Sequence, residues 1–279
     1  TDALIPPSIE GRARIVSKEQ GVLAGIDVAR AVWGKIEPSI KFLPLLGDGI
    51  MMLPSPETDL SNCIVAELHG SISSLLRGER IALNFLQHMS GIATKTSKYV
   101  AAVKGHKAKI LDTRKTTPGI RALEKYSVRT GGGTNHRTHL GDGILIKDNH
   151  LTAMLQFGLS LHQGVEMIRS MDPKHGKIEI EAENVQQVVQ ALEADADIIL
   201  LDNMAIDQIC ESINIIDGRA LTEASGGITL ENVALVAATG VDMISIGALT
   251  HSSKALDFSL EIVDWQKMTS VDNDIPPSD

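Results

Sequence analysis

The residues best suited to chemistry occur in short polar bursts, each following an apolar stretch. Leu111-Asp112-Thr113-Arg114-Lys115-Thr116-Thr117-Pro118-Gly119 empties a predicted strand into two cations and three threonines. A guanidinium offers a planar fork to carboxylate or phosphate, and an ammonium a point charge, so Arg114 and Lys115 are placed to meet an anion. Gly131-Gly132-Gly133-Thr134-Asn135-His136-Arg137 is a glycine-rich turn that sets two donors, His136 and Arg137, side by side. Its glycines alone fit a plain helix stop; the donor pair asks for more. Ile146-Lys147-Asp148-Asn149-His150 brings a third cation, Lys147, to the end of another predicted strand, within reach of a phosphate or pyrophosphate.

Acids complement these cations. Glu179 and Glu181 alternate with Ile178 and Ile180, so both face one side of their strand. Asp202 ends the apolar run Ile198–Leu201. Carboxylates gathered at one rim are costly unless a cation answers them. Pairing with Lys147 or Arg114 is one answer, and a magnesium ion on a phosphate-bearing substrate is the other. Ser225-Gly226-Gly227-Ile228-Thr229 and Ile246-Gly247-Ala248-Leu249-Thr250-His251 end the last two predicted strands. Consecutive backbone N–H groups in such loops cradle a phosphate, and His251 is positioned to donate to it.

These residues require a scaffold that presents them together. Apolar segments at 108–111, 144–146, 178–180, 198–201, 220–221 and 243–246 alternate with helix-like stretches at 185–194, 206–216 and 230–238. That rhythm predicts βα units around a parallel sheet, whose strand C-termini carry the site. Pro118 suits the start of a helix running to Arg129, and Thr229 the cap of another. Ahead of residue 107, short strands are expected at 13–16, 21–25 and 63–69, with helices at 28–35 and 79–103. The expected fold is α/β: an N-terminal sandwich-like α/β domain over 1–107, with the tail 264–279 packing on it, and an incomplete TIM-type (β/α) barrel over 108–263 that carries the catalysis.

Composition narrows the function. The chain has 279 residues, 43% of them hydrophobic and 22% charged, which suits a globular protein. Eight aromatics and a net charge of −9 argue against a nucleic-acid partner, and no apolar run is long enough for a membrane span. Cys63 and Cys210 make no disulfide framework, which fits a reducing, cytoplasmic setting. Charge is nonetheless segregated: residues 80–150 hold 13 Lys/Arg against Asp112, Glu124, Asp142 and Asp148. Interleaved with glycine, threonine and proline, those cations point to a small polyanion as ligand.

The motifs Glu79-Arg80-Ile81-Ala82-Leu83-Asn84, Ser90-Gly91-Ile92-Ala93-Thr94, Asp112-Thr113-Arg114-Lys115-Thr116, Asn135-His136-Arg137, Lys147-Asp148-Asn149-His150, Leu201-Asp202-Asn203 and Ser225-Gly226-Gly227 resemble, in order, those of the quinolinate phosphoribosyltransferases, the carboxylating nicotinate-nucleotide pyrophosphorylases of the type II phosphoribosyltransferases. The resemblance runs from Ala13 to Glu261. It implies transfer of phosphoribosyl from phosphoribosyl pyrophosphate to quinolinate, with release of pyrophosphate and CO2, in NAD biosynthesis. Arg80, Arg114, His136 and Arg137 would hold the two acid groups of quinolinate. Lys115 and Lys147 would meet the pyrophosphate and ribose. Glu181 and Asp202 would bind the ribose hydroxyls and Mg2+, and Ser225, Gly226, Gly227, Gly247 and His251 the 5′-phosphate. The family pattern also implies a homodimer, with hexamers as a further step, in which Arg80 enters the partner's site. It further expects a helix and an acidic turn ahead of the segment matching Thr1–Pro6. Rival readings are a nicotinate transferase without decarboxylation, a relative associated with molybdate transport, a phosphate-binding barrel lyase or isomerase, and a non-catalytic binding protein.

Overall fold

The computed structural model describes residues 1, 3–53, 63–171 and 176–267. The chain divides into two compact units, one comprising residues 1–94 and the segment from 254 onward, the other residues 95–253. The division falls ahead of the expected boundary at 107, and the chain rejoins the first unit earlier than residue 264. Positions 268–279 of the expected tail lie outside the described residues.

In the first unit, β1 (Ile9–Ser17), β3 (Lys41–Pro44), β5 (Cys63–Ser71) and β12 (Phe258–Lys267) form an antiparallel sheet in the order β12-β1-β5-β3. A two-residue pair, β2 (Gly21–Val22) with β4 (Met51–Met52), stands apart from it. Alternation along β1 sends Ala13 and Ile15 into the core, while Arg12 and Arg14 reach Asp264 and Glu67 at 3.2 and 2.9 Å. Helix α1 (Ile26–Ile36) buries Ile26, Ala29 and Trp33, and the Trp33 indole N–H donates to the Leu75 carbonyl at 2.9 Å. Truncating a fully buried tryptophan of this kind costs about 3–5 kcal/mol. Helix α2 (Ile72–Ala102) starts earlier than expected because Gly78 does not stop it. That glycine is where the Trp33 ring lies against the helix, and a Cβ would overlap the ring. Helix α2 continues into the second unit.

The second unit is a parallel sheet of β6 (Lys109–Leu111), β7 (Ile144–Ile146), β8 (Ile178–Ala182), β9 (Ile198–Asp202), β10 (Leu221–Ser225) and β11 (Met243–Ser245) in the order β6-β11-β10-β9-β8-β7. Six strands with β6 and β7 at the edges, in place of eight closed on themselves, agree with the incomplete barrel expected. Its helices are α3 (Arg121–Thr130), α4 (Asp148–Gln156), α5 (Leu161–Met171), α6 (Val185–Glu193), α7 (Ile206–Ile216), α8 (Val233–Ala238) and the single turn α9 (Ala248–His251). Ile178 and Ile180 of β8 and Val188 and Ala191 of α6, elements in contact, are buried. The pleat therefore turns Glu179 and Glu181 to the opposite, inner face. Three details differ from expectation. Helix α3 starts at Arg121, two residues beyond Gly119, whose φ is +83°. Strand β10 runs on to Ser225 although Thr222 and Glu223 interrupt its apolar character. The cap of α8 is Asn232, whose Oδ1 accepts the Thr229 N–H at 2.8 Å. Among the described residues, no helix is long and apolar enough to cross a membrane.

Candidate active site

All six parallel strands deliver a candidate residue at their C-terminal ends. Arg114 and Lys115 follow β6, Lys147 follows β7, Glu181 lies near the end of β8, and Asp202 and Ser225 are the last residues of β9 and β10. Gly247 and His251 follow β11. The Lys147 ammonium meets a Glu181 oxygen at 2.5 Å; Glu181 is buried while Lys147 stays 46% exposed, so the pair opens on its cationic side. Asp202 accepts from the Asn203 side-chain amide at 2.7 Å. Asn203 is itself in the left-handed region, with its N–H donating to the Ser225 carbonyl at 2.9 Å. Gly226, at φ +85°, is indispensable here, since a Cβ would come within 2.8 Å of the Asn203 nitrogen. Lys115 and His251 flank Gly247, where a Cβ would lie 3.1 Å from the Lys115 Cδ and 3.3 Å from the His251 Nε2. The Thr250 hydroxyl ties this turn to the Lys115 carbonyl at 2.6 Å. Lys95 donates to the Ala248 and Ser252 carbonyls at 2.8 and 3.0 Å, bracing the same turn.

The cationic side is organised from α3. Arg121 donates to the Thr116 hydroxyl at 2.9 Å, and Glu124, fully buried, accepts the Thr117 N–H at 3.0 Å. Asp112 and Lys125 form an ion pair with side chains 0% and 3% exposed. Burial pushes the Asp112 pKa up, more strongly than the Lys125 contact, the His136 N–H and the Asn135 amide pull it down. Arg137 donates to the Gly143 carbonyl at 3.2 Å. Its pKa is lowered by burial and next by the charge of Arg114, with Glu179 opposing. The Arg114 Nε is buried and has no hydrogen-bond partner. Two guanidiniums near enough to repel, one with an orphaned donor, form a cationic pair whose chemistry suits an anion.

Beneath them, His136 is held on both ring nitrogens. Its Nδ1 accepts the Arg137 N–H at 2.8 Å, and its Nε2 stands 3.2 Å from Glu179 and 3.6 Å from Glu223. Burial pulls the His136 pKa down, but the Glu179 hydrogen bond and the two carboxylate charges outweigh it, so the net direction is up. Burial and then the Glu179 charge push Glu223 up to about 7, against the pull of His136 and the Ser245 hydroxyl. The neutral Nε2–H tautomer satisfies both ring nitrogens as placed, so we assign the cluster's additional proton to Glu223. A cavity of about 240 Å3 adjoins this floor, lined by Leu111, Arg137, Lys177 and Met243 besides the triad.

The three triad residues offer ligand atoms within 4.8 Å of one another, a spacing that suits a metal. A metal on Nε2 would need the ring proton on Nδ1, where it would face the Arg137 N–H, so the placement favours hydrogen bonding over coordination. The hard oxygen donors at the rim, Glu181 and Asp202, suit Mg2+ better.

Of the residues expected to act, thirteen in all, twelve lie in this unit on the strand ends and loops described; Arg80 lies on α2 in the first unit, largely exposed, 3.7 Å from Glu79. Holding a substrate acid group with His136 would require one of its two ring contacts to open. Sequence reasoning missed Lys125, Glu124, Lys95 and Glu223. The spacing of Arg121, Glu124 and Lys125 on one helical face was the available signal for the first two, and the alternation of Glu223 with Ser225 for the last.

Comparison with known proteins agrees with this geometry. Residues 1–90 match the model of the quinolinate phosphoribosyl transferase N-terminal domain, and residues 92–261 that of its C-terminal domain. A nicotinate-nucleotide pyrophosphorylase (carboxylating) of Mycobacterium leprae is 40% identical over 267 residues, 94% of this chain and 90% of that one. A mitochondrial quinolinate phosphoribosyltransferase (decarboxylating) of Nicotiana glauca is 38% identical, over 93% of this chain and 76% of that one. The solved nicotinate-nucleotide pyrophosphorylase of Francisella tularensis superposes with a TM-score of 0.84 at 37% identity, covering 91% of this chain and 86% of that one. A parallel sheet whose rim carries this set of groups, and two domain matches that together span most of the sequence, lead to one conclusion: the chain belongs to the quinolinate phosphoribosyl transferase family of phosphoribosyltransferase enzymes.

Proposed function

We propose that the protein transfers the phosphoribosyl group of phosphoribosyl pyrophosphate to the ring nitrogen of quinolinate, with Mg2+, and that nicotinate mononucleotide, pyrophosphate and CO2 are the products. The observation that carries this reading is the pair Arg114 and Arg137, mutually repelling and with the Arg114 Nε buried and unpartnered. A dicarboxylate answers two guanidiniums; a monocarboxylate leaves one charge uncompensated. Lys115, His251, Gly247 and the Ser225-Gly226-Gly227 turn receive the 5′-phosphate, consistent with the proximity of the first three. Lys147 stands on the pyrophosphate side. Glu181 and Asp202 hold the ribose hydroxyls, and their charge favours the positive character that develops on the ribosyl carbon. When bound to these carboxylates, Mg2+ supplies neutralisation of the departing pyrophosphate.

For decarboxylation, the guanidinium that holds the 2-carboxylate keeps it out of bulk water. The carbon–carboxylate bond breaks and CO2 leaves; the electron pair of that bond stays on ring carbon 2 beside the positive nitrogen, and a proton from water takes the place of the carboxylate. Arg80, exposed in its own unit, completes the acid-binding set by entering the site of a second copy in a homodimer, the basis also for a hexamer. A reaction of this kind fits a cytoplasmic setting.

The test is an assay with Mg2+, phosphoribosyl pyrophosphate and carboxyl-labelled quinolinate, beside a parallel tube with nicotinate. Labelled CO2 with nicotinate mononucleotide in the first tube, and nothing in the second, is the expected result. Turnover of nicotinate alone, or of neither acid by folded protein, would sink the reading.

A further inference from the structure

The two cation-bearing segments, 112–115 and 135–137, are loops, yet their guanidiniums must keep a fixed separation to read two carboxylates. Backbone pairing laces them only briefly: Thr134 N–H donates to the Ile110 carbonyl at 2.8 Å and Asp112 N–H to the Thr134 carbonyl at 3.2 Å. Beyond that point the link is made by side chains. The Asp112 Oδ1 accepts the His136 N–H at 2.9 Å, while Lys125 donates to the His136 carbonyl at 2.8 Å. Both backbone polar groups of one residue are thus gripped by opposite members of one buried ion pair. The Asn135 amide bridges the same pair, donating to Asp112 and, at 2.9 Å, to the Lys125 carbonyl. Two residues along from Asp112 is Arg114; one residue along from His136 is Arg137, whose N–H ends on the His136 ring at 2.8 Å.

We propose that the Lys125–Asp112 ion pair, with Asn135, is the positioning element of the acid-binding site, fixing the separation of Arg114 and Arg137 and hence the preference for a dicarboxylate. The inference rests on the functional reading above, and neither Lys125 nor Asp112 touches substrate in it. A solvated pair adds little stability and directs nothing. Here both charges are shut from water, and each grips the backbone of His136, with Asp112 also accepting from the Asn135 amide. A misplacement of about 1 Å at such a site costs on the order of a hundredfold in rate, so small slack at this peptide is readable in kinetics.

The experiment uses the full chain with Mg2+ and two variants, Lys125→Met and the neutralised double variant Asp112→Asn/Lys125→Met. Thermal unfolding is recorded for each, then kcat and the KM for quinolinate and for phosphoribosyl pyrophosphate separately. The quinolinate KM is expected to rise about tenfold or more in both variants, with the phosphoribosyl pyrophosphate KM within about twofold of wild type. The double variant should recover thermal stability relative to Lys125→Met without recovering the quinolinate KM. A folded variant with unchanged quinolinate KM, or an equal rise in both KM values, overturns the inference. If both fail to fold, Asn135→Ala stands in. It should raise the quinolinate KM about threefold and leave the other alone, and no change would overturn the proposal. Wild-type protein inactive on quinolinate would overturn the functional reading and this inference with it; active wild type with indifferent variants overturns the inference alone.

Discussion

Glu179 and Glu181 are two residues apart on the same face of one strand, yet they live in different chemistry. Glu181, near the mouth, is answered by the Lys147 ammonium at 2.5 Å, from a residue that follows the neighbouring strand β7. Glu179, one layer deeper, is answered by an imidazole and shares its surroundings with Glu223. The difference follows from where loops can reach. At the rim a long, half-exposed cation extends over the strand end and neutralises the carboxylate while staying hydrated. Deeper in, Glu179 of β8 and Glu223 of β10 face the single His136 imidazole, so charge is limited by protonation, and the Glu223 pKa is pushed up to about 7. Depth along the strand, and not residue type, divides a carboxylate paired with a half-exposed cation at the rim from one enclosed with an imidazole in the floor.

Glu181→Gln tests the mouth side and should have the largest effect. With the charge gone, kcat is expected to fall by about a hundredfold or more if Glu181 stabilises the developing ribosyl cation as proposed. Unfolding temperature should change by only a few degrees, since Lys147 is free to hydrate. A kcat within about threefold of wild type would erase the distinction between the two layers. Glu223→Gln tests the floor through stability. The folded-state pKa of about 7 lies above the ordinary 4.5, so the folded protein keeps a proton that the unfolded chain has released. The Glu223 contribution to stability is therefore greatest at low pH, falls as pH rises from about 4.5 to 7, and is level above that. Glutamine removes the slope, and at pH 8 the variant is expected to be more stable by about 3 kcal/mol at most. Denaturant midpoints from pH 5 to 8 check this, and an unaltered slope would place the proton elsewhere.

Depth along the strands also decides what is legible in the sequence. Rim residues announce themselves because a cation close behind an apolar strand has no packing role, as with Arg114 and Lys147. The βα rhythm and the incomplete barrel are equally visible, because buried parallel strands read as apolar runs. The layer beneath is harder. Glu223 sits within a strand where burial of a carboxylate runs against pattern, and its partners come from positions 136 and 179, far away in sequence. Lys125 looks like a solvated helix residue until the fold turns that face inward, where it is 2% exposed. Strands β3 and β12 escape notice for another reason: β3 is four residues long, and β12 is completed by pairing with β1 from the other end of the chain.

The smallest expected effect comes from another carboxylate, Asp242, immediately ahead of β11, which separates burial from depth. It lies ahead of Met243, the residue paired with Glu223, but its side chain is 28% exposed. Burial raises its pKa less than the Thr222 N–H and hydroxyl and the Lys107 ammonium lower it, so the net direction is down. The bonds are ordinary: 2.9 and 2.8 Å from Thr222, and 2.9 Å from Lys107. The sign of its pH dependence is consequently opposite to that of Glu223. Its contribution is complete above the ordinary carboxylate value of 3.8 and disappears as pH falls through the lower folded-state value. Asp242→Asn keeps an acceptor for Thr222 and loses the charge, so the cost at pH 7 should be about 0.5–1 kcal/mol, shrinking below about pH 4. Quinolinate kinetics should not change. Were Asp242→Asn instead to reproduce the alkaline stabilisation of Glu223→Gln, position along the strand would govern titration regardless of access to water. Strand register alone would then have to explain why the Glu223 pKa is raised.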